Sequence, residues 1–272
     1  MKKALLTSVA VVALVGANAA YAGNITLTGH DNDFHWNFGG SPGNAGPAGV
    51  ALQDEVDFVR NGSSLGLLTF DQGTELTTAL ASLFPGVTIT NVSTIAGVGS
   101  VAFNPAAYSA MIVASETTCG GCDNSAAFIA AITARKTDIG TFLDAGGGIL
   151  GLAGATDPAA YAYVPESATN PGGSPPSTGY FATALGISLD LPEVNGNTTH
   201  NFFSEPGSAG LSAAYGVTER NSFTTPNPAE TVACVGCTTA ILAAPEPASL
   251  ALLGTGLLGL AAAWRRKRRS ST

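Results

Sequence analysis

The chain has 272 residues, of which 45% are hydrophobic and 11% charged, with a formal net charge of −8. Between residues 23 and 244 there are four cations, Arg60, Arg135, Lys136 and Arg220, against 18 acids, so that stretch carries −14. Four dispersed cations cannot assemble a basic patch, which excludes nucleic acid and anionic lipid as partners of this stretch; divalent cations and cationic polymers remain compatible with it.

At the start of the chain, Lys2 and Lys3 form a positive n-region and residues 4–15 an apolar h-region. Ala20-Tyr21-Ala22 then supplies a small-x-small site, so residues 1–22 read as a signal peptide and Gly23 as the first residue left by signal peptidase. A second site, after Ala19, follows Ala17-Asn18. An uncleaved anchor is disfavoured because the apolar run is short. The chain is therefore expected to be exported.

Residues 24–28 read as a strand, 50–60 as a helix with Val50, Leu52, Val56 and Val59 apolar, and 65–70 as a continuous apolar strand. A helix over 75–84, a β-branched strand over 87–92 and a buried-type strand over 108–115 follow. A long helix is expected over 125–145, with Phe128, Ile132, Ile139 and Leu143 on one stripe and Asp123 or Asn124 as its N-cap. Gly146-Gly147-Gly148 ends it, and 149–153 is the next strand. Apolar strands without polar alternation are buried on both faces, as in a parallel sheet between helices. Residues 23–155 are thus expected to form an α/β core with a doubly wound, mostly parallel sheet. Residues 156–244 read as a loop-rich, β-rich continuation, with four prolines and three glycines in 165–179 and a hairpin or two edge strands in 221–242.

Gly29-His30-Asp31-Asn32-Asp33-Phe34-His35-Trp36 follows the first strand and holds two of the three histidines of the chain. Ligands of open α/β sheets lie outside the carboxyl ends of strands, and imidazoles beside carboxylates could ligate a transition metal or move protons. The competing reading is a polar turn in which Asp and Asn cap backbone amides. Glu116, after the 108–115 strand, could join His30, His35 or His200 at the same edge, so His30, Asp31, Asp33, His35, Glu116 and His200 form a candidate ligand site. No catalytic residue, resident metal or cofactor is assigned, although a divalent metal fits the residue types.

The cysteines form two pairs, Cys119-x-x-Cys122 and Cys234-x-x-Cys237. Two such pairs suit a tetrahedral zinc site, two local disulfides or two bridges between the turns; an oxidising compartment favours disulfides. No Walker ending is present, the glycines at 146–148 precede a strand rather than a helix, and the G-x-S-x-G matches at 39–43 and 62–66 lie in a loop and before a strand rather than on a strand-to-helix elbow, against a nucleotide loop and an α/β-hydrolase.

The end of the chain reads Pro245-Glu246-Pro247, an uncharged apolar run over 248–264, and five cations at 265–269. As a helix the run of 17 residues spans roughly 25 Å, near the lower limit for crossing a membrane, and the cations mark its cytoplasmic end. This order of features over 245–269 resembles the PEP-CTERM sorting signal of bacterial envelope proteins. The resemblance implies transient anchoring in the membrane by a transmembrane helix over 248–264, cleavage near the motif by an exosortase, and release or attachment at the cell surface or extracellular matrix. The segment 142–155, PheLeuAspAlaGlyGlyGlyIleLeuGlyLeuAlaGlyAla, resembles the helix-end, glycine and strand passage of class I glutamine-amidotransferase-like domains, including the ThuA-like branch. Thr199-His200-Asn201-Phe202 and 215–219 are similar to its His-containing loop and following strand. Where catalytic members carry a cysteine this chain has Ala153, so the resemblance implies the fold without the nucleophile. The expected function is a structural or binding role in the surface layer or an exopolysaccharide matrix. The alternative is a secreted metal-dependent hydrolase or carbohydrate-active enzyme on a degenerate amidotransferase-like fold.

Overall fold

Uninterrupted apolar pentads such as those around Leu67 and Met111 cannot leave either face in water, and a parallel sheet covered on both sides satisfies them. The computed structural model describes residues 23–36, 46–116, 124–154, 159–165, 181–182, 200, 218–221, 223–224 and 239–243. All belong to the body Ala20–Pro245; the other unit of the chain, Met1–Ala19 with Glu246–Thr272, holds none of them. The expected signal peptide, the four cysteines and the expected transmembrane helix therefore lie outside the described residues, among which no helix is long and apolar enough to cross a membrane.

The elements run β1 Ile25–Thr28, α1 Asn32–His35, α2 Pro47–Arg60, β2 Gly66–Phe70, α3 Glu75–Leu83, β3 Ile89–Val92, α4 Ile95–Ser100, β4 Tyr108–Val113, α5 Ala126–Thr133, α6 Lys136–Asp144 and β5 Gly148–Gly151. Four strands follow: β6 Phe181–Ala182, β7 Thr218–Asn221, β8 Phe223–Thr224 and β9 Thr239–Ala243. The main sheet has the order β3-β2-β4-β5-β1-β9-β7, and β6 pairs with β8 in a separate ribbon. The first five strands of that order are mutually parallel, with Ile25 opposite Ile149 and Met111 opposite Ile149 on the other side. β9 lies antiparallel to β1, with Ile25 opposite Leu242 and Thr28 opposite Thr239, and β7 lies antiparallel to β9. The expected α/β body on a parallel sheet is present.

Successive strand residues feed opposite layers. Leu67, Ala110, Ile112 and Leu150 pack with Leu52, Val56 and Val59 of α2 and Leu76 and Leu80 of α3. Leu68, Met111, Val113 and Ile149 pack with Val98 of α4, Phe128 and Ile132 of α5, Ile139 and Leu143 of α6, and Tyr161 and Tyr163 beyond β5. Connections leaving β1 and β2 therefore cover one face and those leaving β3 and β4 the other, where Tyr161 and Tyr163 beyond β5 join them. This is what right-handed crossovers require when the chain moves first one way along the sheet and then back.

Three local expectations are corrected. The helix expected over 125–145 is two helices broken at Ala134 and Arg135. Arg135 falls on the apolar stripe. At the break its guanidinium reaches the carbonyls of Val98 and Val101 at the end of α4, with Asp138 2.6 Å away and the Phe103 ring 5.1 Å beneath. A cation there compensates the unpaired carbonyls of a helix end. The N-cap of α5 is Ser125, whose hydroxyl accepts the Phe128 N–H; Asn124 is engaged elsewhere. The polar turn expected after β1 is instead the helical turn α1. Gly146, at φ 95°, supplies the left-handed residue that ends α6. Gly148 sits against the backbone carbonyl of Val59, so any Cβ there would collide with α2.

Candidate functional site

At the carboxyl edge the strand ends of β1, β5, β4 and β2 are stitched together by backbone bonds. Ala153 N–H donates to His30 O (3.0 Å), Glu116 N–H to Ala153 O (3.0 Å) and Asn124 N–H to Ser115 O (2.7 Å). Asn124, fully buried, donates through Nδ2 to Phe70 O (2.8 Å) and Ala114 O (3.0 Å) and accepts Gln72 N–H at Oδ1 (3.1 Å). The chain leaving β1 and β2 crosses one face of the sheet and that leaving their neighbours β5 and β4 the other, the topological position at which open α/β sheets hold ligands.

Asp31 occupies the N-cap position of α1, yet its carboxylate accepts no capping bond from the helix amides. The helical turn, held by Phe34 and His35 N–H groups on Asp31 O (3.0 and 3.1 Å), puts residues i and i+4 on one face. His35 Nε2 then stands 3.5 Å from Asp31 Oδ2. His200 arrives from 169 positions downstream; its backbone N–H donates to Gly29 O (2.8 Å), and its Nε2 lies 2.8 Å from the same Oδ2. One ligand-type atom from each of Asp31, His35 and His200 lies within 4.8 Å of the others. Asp31 is 1% exposed, whereas the His35 and His200 side chains keep 16% and 22% of their surface. The carboxylate is thus the floor of the group and the imidazoles its solvent-facing walls.

The remaining members of the predicted set lie around this trio. His30 is fully buried, and burial followed by the nearby His200 pushes its pKa down to about 3, so its imidazole is neutral. Asp33 turns away to β4, accepting the Ser115 N–H (2.9 Å) and hydroxyl (2.6 Å). Burial pushes Asp33 up to about 7 in spite of those two bonds, with Asp31 and Asp71 adding to the rise. Asp31 is raised as well: burial outweighs the His200 hydrogen bond and the charges of His200 and His35. Glu116 is 2% exposed and close enough to Tyr163 to help raise that phenol, after burial and Tyr161; it is not one of the trio. A His₂-carboxylate group can hold a cation, and an acid near neutrality beside it can exchange a proton.

Several polar residues of this edge escaped the sequence reading. By sequence Ser115 reads as the end of a strand and Asn124 as a cap. Glu55 is buried on α2 with Oε2 accepting from Asn32 Nδ2 (3.1 Å), and burial raises it to about 8. The signal for Glu55 was available: it falls between Leu52 and Val59 on the apolar side of a helical period.

The fold and this edge define an α/β protein with a buried polar set at the carboxyl ends of a parallel sheet, the place where such folds receive ligands. Residues 243–269, beginning at the last residue of β9 and including Pro245, Glu246 and Pro247, match the PEP-CTERM protein-sorting motif. The motif indicates export and sorting by an exosortase system to the cell envelope or surface, and implies recognition by the exosortase. No curated protein and no solved structure matches the chain, so the likeness of the body to amidotransferase-like domains rests on its residues alone.

Proposed function

We propose that the protein serves at the cell surface as a binding module of the surface layer or exopolysaccharide matrix, with the carboxyl edge of its sheet as the ligand-contacting end. The observation that carries this reading is the sorting motif over 243–269, which addresses an acidic α/β body to the envelope. The −14 charge between residues 23 and 244 favours cationic polymers or cation-bridged glycans over nucleic acid as partners. On this reading signal peptidase cuts at Ala20-Tyr21-Ala22 and leaves Gly23, an exosortase cuts near Pro245 after the 248–264 helix has held the chain in the membrane, and the oxidising compartment closes disulfides among Cys119, Cys122, Cys234 and Cys237.

The test is the intact mass and matrix retention of the protein in hosts with and without an exosortase. The expected result is loss of everything after about Pro245 only when the protease is present, with the shortened protein retained on extracted matrix polysaccharide. A mass that still includes Trp264 in both hosts overturns the processing; a processed protein that washes freely from the polysaccharide overturns the binding role. Four free thiols in metal-free, unreduced protein overturn the disulfides.

A second reading, a metal-dependent hydrolase acting on a carbohydrate, is favoured by one observation: Asp33, raised to about 7, is near enough to Asp31 for that carboxylate to add to its rise. Its discriminating measurement is release of reducing ends from the same polysaccharide, abolished by Asp33→Asn.

A further inference from the structure

The geometry points to a divalent transition-metal site, of the kind that takes Zn²⁺, made by Asp31, His35 and His200. It deepens the reading of this edge as a ligand-binding end and rests on that reading only for the location.

Three independent features converge. The first is the donor set: two imidazoles and one carboxylate are ligands shared by zinc and other divalent first-row ions, and their spacing is close to what coordination needs. An ion about 2.0–2.2 Å from each of three tetrahedrally disposed donors holds those donors about 3.4 Å apart. His35 Nε2 already stands 3.5 Å from Asp31 Oδ2, and His200 Nε2, at 2.8 Å, has to recede by a fraction of an ångström. Both histidines present the same ring nitrogen, Nε2, to the same oxygen.

The second feature is the disposition of Asp31. An aspartate at an N-cap ordinarily accepts amide protons of the first helical turn, a contribution of about 1 kcal/mol. Asp31 forgoes that bond, and its Oδ1, buried, has no hydrogen-bond partner from any other described residue. A buried carboxylate with an unused oxygen is costly unless a cation compensates it.

The third is mechanical. The helical turn of α1 fixes Asp31 and His35 relative to one another, and the Gly29 carbonyl holds the backbone of His200 beside them. Two donors come from one turn and the third, His200, from more than 160 positions away. With three protein donors and both imidazoles partly exposed, a fourth position is left for water or for an oxygen of a bound glycan, the arrangement of an open rather than a closed zinc site.

The test is isothermal titration of chelator-stripped protein, purified from the envelope fraction, with ZnCl₂, followed by Co²⁺ substitution and absorption spectroscopy. Wild type is expected to take one Zn²⁺ per chain in addition to any held by thiols, and Asp31→Asn, His35→Gln and His200→Gln each to weaken uptake at least about 100-fold. Melting of the metal-free variants checks folding, and His35→Gln, at a partly exposed position on a surface turn, serves if the buried Asp31→Asn unfolds. A Co²⁺ spectrum with nitrogen and oxygen ligands that disappears in His35→Gln supports the site. Thiolate-to-cobalt absorption with no nitrogen-ligated component places the ion on the cysteines and overturns it, as does binding indifferent to all three substitutions, or no stoichiometric Zn²⁺ on folded wild type. Polysaccharide retention is measured on the same samples: zinc uptake without retention refutes the matrix role alone, and retention without zinc uptake refutes the metal site alone.

Discussion

Asn124 is the residue whose removal most directly tests how the carboxyl edge is held. Its side chain makes three hydrogen bonds, to Phe70 O, Ala114 O and Gln72 N, joining the ends of β2 and β4 at the point where their connections part. At about 1 kcal/mol net for each bond, Asn124→Ala should cost about 3 kcal/mol. Phe70 O keeps the Ala114 N–H at 3.0 Å, whereas the buried Ala114 O loses its Asn124 donor, so about 3 kcal/mol is the lower figure. In a domain of this size about 3 kcal/mol lowers Tm by roughly 6–12 °C. Asn124→Asp is the sharper perturbation. It preserves shape but points a second acceptor at two carbonyls, so at neutral pH it should be less stable than the alanine variant. Below about pH 4 the protonated carboxyl regains a donor and the order should narrow or reverse. Thermal melts by far-UV circular dichroism at pH 7 and pH 4 read both differences. An alanine variant within about 0.5 kcal/mol of wild type, or an aspartate variant more stable than alanine at pH 7, would refute the reasoning.

Glu55, raised from 4.5 to about 8, binds more protons folded than unfolded between those values, so its contribution is complete below about pH 4.5 and is lost as pH rises through about 8. Glu55→Gln, which keeps an acceptor for Asn32, should flatten that decline by a few kcal/mol in urea melts compared across pH 5 to 9; an unchanged slope would count against a buried neutral acid. Gly148→Ala forces a methyl into the Val59 carbonyl and should cost more than about 3 kcal/mol or abolish soluble protein, while a melt equal to wild type would show that α2 can retreat. Tyr161→Phe removes the hydroxyl that donates to Thr28 O (2.8 Å) and receives Gly154 N–H (3.3 Å), and should lower stability by about 1–2 kcal/mol, checked by the same melts.

What the sequence disclosed follows from which forces act over short spans. Strands such as β2 Gly66–Phe70 and β4 Tyr108–Val113, and the helical stripes of α2 and α3, are set by burial with a fixed period, and the period is written in the residues. α1 and α4 were missed because four or six residues do not complete a recognisable period, and Ile95–Ser100 carries two glycines that read as loop. The break between α5 and α6 was hidden for another reason: Arg135 looks like a helix former, and what draws it aside is a set of carbonyls on α4. The candidate site was half legible. His30, Asp31, Asp33 and His35 stand out by composition, but the pairing of Asp31 with His35 depends on a helical turn that the sequence presents as a polar turn. His200 joins them through tertiary contact, and no local pattern specifies that Asp33 faces Ser115 while Asp31 faces the histidines.

The antiparallel pairing of β9 with β1 has a consequence for display. β1 begins at Ile25, just inside the expected signal peptidase site, and β9 ends at Ala243, where the sorting motif starts; Ile25 and Leu242 are direct partners in the sheet. Both exits of the chain are therefore neighbours at one pole of the body, the pole at which the parallel strands begin. Asp31, His35 and His200 stand at the opposite pole, a strand length or roughly 13 Å further on. Within the body, therefore, the strand ends through which the chain enters and leaves are separated from His35 and His200 by the length of β1.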